Sequence, residues 1–191
     1  MLNKSNKRSK AVYALVYVAL GLLFYVYLTT LQKISQKRKD LQTQMSEISY
    51  KKPLTDAERV AECSMSEACS LLAQVSYYES RDQKTDAAIA GPMFVVLNRR
   101  DHSKNWGSSL HSVVYEYKQF SYTHDGSLAR GIQEQKSYKR MLKIAHYVWS
   151  GEVEDPTGGA YWYHSVKVSP AWSQKLQKTT KLGSHIYYKE I

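Results

Sequence analysis

At 191 residues, with 27 Lys and Arg against 17 Asp and Glu, the chain has a net charge of +10 and room for one good core plus accessory segments. Residues 1–52 hold ten of the basic residues and two acidic ones, whereas residues 53–191 hold seventeen against fifteen. No basic domain face is implied, which argues against nucleic acid as the main partner, and anionic lipid accounts for the N-terminal charge equally well.

In chain order, residues 1–10 form a basic tail and residues 11–31 contain no charge. Twenty-one such residues are enough to cross a hydrocarbon layer of about 30 Å as a helix, with Tyr13, Tyr25 and Tyr27 at its ends as interfacial anchors. A cleaved signal peptide is the competing reading, but Thr29-Thr30-Leu31 is a poor cleavage site, so an uncleaved anchor in contact with membrane lipid is expected. Four basic residues precede the span and four follow it, leaving orientation nearly silent. Residues 32–50 read as a polar stalk helix with a broken seam of Leu31, Ile34, Leu41, Met45 and Ile48. A single exposed helix is expected there, with a weak dimer as the other option. Lys51-Lys52-Pro53 ends the pattern, so the stalk closes at 53 and a domain follows over 54–191.

Within the domain, Ser64 and Glu67 have capping-box spacing and open a helix running to Glu79. Ala68, Leu71, Leu72, Val75 and Tyr78 share an apolar arc of roughly 120°, and Glu79 falls inside it. A carboxylate so placed is desolvated and keeps its proton near neutral pH, as a general acid must. The alternative is a structural ion pair with Arg81 or Arg99, which helix geometry alone favours. Residues 87–99 read as a buried helix kinked at Gly91-Pro92, or with a strand over 93–97. Trp106-Gly107 should fold over the core, and Thr123 to Gly126 has turn chemistry. Tyr138, Met141, Leu142, Ala145, Val148 and Trp149 keep a helical stripe that Gly151 stops, with His146 at its rim. Tyr161-Trp162-Tyr163-His164 and residues 182–188 have strand character, on either side of Trp172. The whole is α+β and mainly helical.

Two cysteines make no zinc site and no HExxH is present, so neither a metal nor a cofactor is expected. No GxSxG elbow places a serine nucleophile, and Gly158-Gly159 lacks the Lys of a phosphate loop.

The segments CSLLAQVSYYESR, VVLNR, SVVYEYKQFSYTHDG, GGAYWYH, VSPAW and LGSHIYYK follow one another in an order that resembles the SleB-type cell wall hydrolase family. The resemblance spans residues 68–189 and implies a lysozyme-like, lytic-transglycosylase-related fold acting on peptidoglycan glycan strands. It implies Glu79 as the catalytic acid, and Gln119, Phe120, Ser121, Tyr161, Tyr163 and His164 as substrate-binding residues. A domain on the periplasmic or outer face of the cytoplasmic membrane follows from that substrate. One carboxylate suffices for a lytic transglycosylase, whereas a hydrolase needs a second, for which Asp125 and Asp155 are candidates. The chain departs from the family in Tyr78 and Ser80 flanking the Glu, in Pro92, and in Ser112 where relatives carry Cys. Cys69 would lack that partner, leaving a local bond to Cys63 as the option. Continuous helix between the two would hold their Cα atoms about 9 Å apart, too far, so the bond requires Cys63 outside the helix that Ser64 caps. A catalytically silent wall-binding or lysis-assisting protein, and an intracellular protein working through its basic tail, remain alternatives.

Overall fold

The computed structural model describes residues 3–49, 53–102 and 106–191, apart from the side chains of 3–12, 14, 15 and 45–49. Lys51 and Lys52 of the expected boundary, and the middle of the 101–109 loop, lie outside them. The chain falls into two compact units, Met1–Pro53 and Leu54–Ile191.

The first unit is one helix, α1 (Asn3–Ser49), without a break between the apolar span and the polar stalk. Its stretch Val16–Gln44 includes a segment long and apolar enough for a membrane span, by length and composition, as a signal sequence can also be. Thr29 and Thr30 return their hydroxyls to the carbonyls of Val26 and Tyr27, so both hydroxyls are satisfied within the helix. Met45 and Ile48 of the expected seam lie outside the described side chains.

The second unit is mainly helical. It contains α2 (Asp56–Met65), α3 (Glu67–Ser80), α4 (Asp86–Asp101), α5 (Leu110–Tyr115), α6 (Ser127–Arg130) and α7 (Gln135–Trp149). A sheet of β1 (Trp162–Ser165), β2 (Gln177–Leu182) and β3 (His185–Lys189) completes it, antiparallel in the order β1-β3-β2. Helix α3 packs against α2, α4, α5 and α7, and its Leu72, Ala73, Val75 and Ser76 are fully buried.

Two expectations about the start of α3 are corrected. The cap of α3 is Ser66, not Ser64: its side chain accepts from the Cys69 N–H at 3.3 Å, while Ser64 lies within α2. Helix α2 itself starts from a capping box that Thr55 and Glu58 form, 2.6 Å from the Thr55 N–H to the Glu58 carboxylate. Cys63 therefore belongs to a helix, and the break at Ser66 between α2 and α3 brings its Cα within 5.1 Å of that of Cys69, where the two are disulfide-bonded.

Helix α4 runs through Pro92, with no strand over 93–97. Proline removes one helical hydrogen bond and crowds the preceding turn. The carbonyl of Ile89, in that turn, accepts from the buried Ser76 hydroxyl of α3 at 2.6 Å. Gly91 faces Tyr187, where a Cβ would overlap the phenol oxygen of a side chain that is itself fully buried. The helix can be no bulkier at that turn.

In α7, Met141, Leu142, Ala145 and Val148 are buried but Trp149 is 44% exposed, lying under the Arg100 guanidinium. His146 sits between Arg59 and Glu62 at 3.2 and 3.0 Å. The run 182–188 is the end of β2, a two-residue Gly183-Ser184 turn and β3. Gln83 pins that turn to the loop after α3: its amide donates to Ser184 Oγ at 2.6 Å and its carbonyl oxygen accepts from the Ser184 N–H at 3.0 Å. The sheet is thereby fixed against the end of α3 that carries Glu79.

Candidate active site

Glu79 lies in the last turn of α3 and is partly buried. The Tyr163 hydroxyl, from β1, donates to its Oε2 at 3.0 Å. Its Oε1 has no protein partner among the described residues and is not sealed from solvent. Tethering one oxygen leaves the other as the place for a transferable proton. Burial is the largest influence on this carboxyl and raises its pKa; the Tyr163 bond and the Arg99 charge pull it back, and Asp125 adds to the rise.

Arg99 is 6% exposed. Its Nε donates to the Tyr161 carbonyl at 2.7 Å, and its guanidinium lies over the rings of Trp106 and Phe120 at 5.6 and 5.7 Å. Its Nη1 is buried without a partner among the described residues. Burial lowers its pKa to about 10, so it stays a cation at neutral pH and the nearby Glu79 and Tyr163 feel that charge. Burial likewise pushes the Tyr163 phenol well above the ordinary tyrosine range, which keeps it a donor.

Strand alternation sorts the aromatic residues. Tyr163 shares its face with Tyr187, the rings stacked at 5.6 Å, so the Glu79 partner is held from behind. His164 points to the other face, where its Nε2 meets the Tyr188 hydroxyl at 2.9 Å and its ring packs edge-on to Trp172. Tyr161 stacks on Trp106 at 5.4 Å, and Phe120 is 2% exposed beneath Arg99. Both support the site from within. Gln119 is half-buried ahead of the short helical turn Ser121–Thr123, where Ser121 is exposed.

The two further carboxylates differ. Both oxygens of Asp155 are occupied: Oδ1 by the N–H and hydroxyl of Thr157, Oδ2 by Asn98 and the Gly159 N–H. That residue is a loop knot. Asp125 is exposed, and hydrogen bonding from the Ser127 side chain, then from its N–H, holds its carboxyl below the usual range. Among the described residues no three His, Cys, Asp or Glu side chains are grouped as a metal site requires.

A family description for cell wall hydrolases matches residues 82–188. The chain belongs to that family. The matched stretch holds Arg99, Asp125 and Tyr163 and begins three residues after Glu79. This cell wall hydrolase domain is similar to the catalytic domain of the Bacillus cereus SleB protein, with 25% identity over 64% of this chain and 89% of that one, at a TM-score of 0.50. It shares the fold of the catalytic domain of the germination-specific lytic transglycosylase SleB from Bacillus anthracis. That match has 24% identity over 65% of this chain and 96% of that one, at a TM-score of 0.51. No curated protein sequence matches the chain.

The Tyr163 bond favours the carboxylate form of Glu79, so removing it should raise the Glu79 pKa further. With Glu79 as the acid, Tyr163→Phe is expected to move the high-pH limb of kcat/KM to higher pH and to lower the rate about tenfold through poorer positioning. A pH–rate profile with an unmoved limb would show that Tyr163 does not touch the working acid.

Proposed function

We propose that the domain cleaves peptidoglycan glycan strands between N-acetylmuramic acid and N-acetylglucosamine as a lytic transglycosylase. One observation carries this reading: a screened, tyrosine-tethered carboxyl at the end of α3, with one oxygen open and a buried cation nearby, in a chain of the cell wall hydrolase family. Glu79 gives its proton to the glycosidic oxygen as the bond from C1 of the muramic residue breaks. Charge then builds on the ring of that residue. The C6 hydroxyl of the same sugar attacks C1, and its proton passes to the Glu79 carboxylate, which restores the acid. One C–O bond breaks, one forms, and no water is consumed. Arg99 steadies the carboxylate between the two transfers.

A second reading, hydrolysis with Asp125 as the base, is favoured by one fact: Asp125 is the carboxylate whose charge Glu79 feels. Asp125→Asn discriminates between them. On the transglycosylase route this variant keeps substantial activity in a cell wall zymogram, and on the hydrolytic route it is nearly silent.

Helix α1 serves in this reading as an anchor in the cytoplasmic membrane, with the domain on its outer or periplasmic face. The Cys63–Cys69 bond supports that side, since disulfides persist in oxidising compartments. Protease added to spheroplasts is expected to digest the domain, and a mature N-terminus near residue 32 would count against the anchor.

A further inference from the structure

A cavity of about 270 Å³ lies between the end of α3 and residues 121–134, walled by the two tyrosines that precede Glu79, and no step of the transglycosylase route draws on it. Its wall is built, not incidental. The buried Tyr77 phenol oxygen accepts from the backbone N–H groups of both Gln133 and Glu134 at 3.1 Å, and the Tyr78 hydroxyl donates to the Ser127 carbonyl at 3.3 Å. Both tyrosines precede Glu79 on the same helix, so this wall and the acid share one rigid support. Gly126 and Gly131, at φ 81° and 67°, let the chain turn at either end of α6 to close it. Tyr122 stacks on Tyr78 at 4.5 Å, and its hydroxyl is buried with no partner among the described residues.

The charges around this cavity are mixed. Arg81 is held loosely by Glu134, Nε to Oε1 at 3.4 Å, with both side chains about half exposed. Arg130 bonds the Ser127 hydroxyl at 2.7 Å and feels Asp125 without pairing to it. Asp125 accepts from the Ser127 N–H through Oδ1, and its Oδ2 has no partner among the described residues, which leaves it for a ligand. Two guanidiniums and two carboxylates beside an aromatic wall do not suit a neutral sugar ring alone. They suit a short zwitterionic peptide, which carries carboxylates and amide or amine N–H groups.

We infer that this cavity binds the stem peptide carried on the lactyl group of muramic acid, with Arg130 taking a peptide carboxylate and Asp125 a peptide N–H. The inference rests on the glycan reading above, because it makes the cavity the selector between peptide-bearing and denuded muramic residues.

Binding separates it from catalysis. The full chain in detergent, carrying Glu79→Gln so that nothing turns over, is titrated with a soluble disaccharide-peptide and with the same disaccharide lacking its peptide. The peptide is expected to tighten binding at least tenfold, and Arg130→Gln in that background to remove most of this gain while leaving the bare disaccharide unaffected. Equal affinity for the two ligands overturns the inference. So does an Arg130→Gln loss that is the same for both, which would mean a sugar subsite. If peptide-dependent binding holds while the unsubstituted chain leaves the wall intact, the catalytic reading fails and the peptide site stands.

Discussion

Glu79→Gln is expected to fold and to lose glycan cleavage by about a thousandfold or more. The amide keeps the size of the side chain and can still meet the Tyr163 hydroxyl, but it cannot cycle a proton. Stability should move the other way. Burial raises the Glu79 pKa in the folded chain above its unfolded value, so the stability its acid form contributes is full below the ordinary carboxylate range. That contribution is lost as pH rises through the raised folded pKa, where a partly desolvated charge must form. The amide has no such loss. Thermal unfolding of the two proteins across that window should show Glu79→Gln gaining on the parent as pH rises, then holding a constant lead. A variant that unfolds at neutral pH would instead make Glu79 a structural ion-pair partner.

Breaking the Cys63–Cys69 bond is the second large effect. The bond closes a loop of a few residues across the α2–α3 junction, with both cysteines 1% exposed. Loop closure of that length is worth about 2 kcal/mol, and the paired Cys63→Ala/Cys69→Ala variant should therefore lose roughly 5–10 °C in Tm. Cleavage below that temperature should persist, because Ser66 still caps α3 and Glu79 lies ten residues beyond Cys69. An unchanged Tm on reduction would mean the junction is held by α2 packing on α7 alone.

Much of this architecture was legible in the sequence because it rests on local rules. The stripe of α7, the uncharged span within α1 and the apolar surroundings of Glu79 are readable from helical spacing. What escaped was set by short signals or by contacts distant in sequence. Thr55 and Glu58 announce α2 as plainly as any cap, but the next capping pair, Ser64 and Glu67, has the same spacing and competes with the true cap at Ser66. Strand β2 is a polar run, Lys178-Thr179-Thr180-Lys181, whose only announcement is the Gly183-Ser184 turn after it. His164 belongs to the same motif as Tyr163, yet strand alternation turns it toward Tyr188, a fact of period two that the motif string conceals. Arg99 was visible as a possible ion-pair partner. Its place over the Trp106 ring and its bond to the Tyr161 carbonyl, some sixty residues on, depend on tertiary packing.

On the proposed route Glu79 works alone, with the muramic C6 hydroxyl in place of an activated water. Mass spectrometry of the soluble products from purified peptidoglycan, digested by the full chain and by Glu79→Gln, tests it most directly. Muropeptides one water lighter than hydrolytic products, with the missing water at the muramic end, are expected from the parent chain and none from Glu79→Gln. Reducing muramic ends from the parent chain, or anhydro products from a folded Glu79→Gln variant, would contradict it.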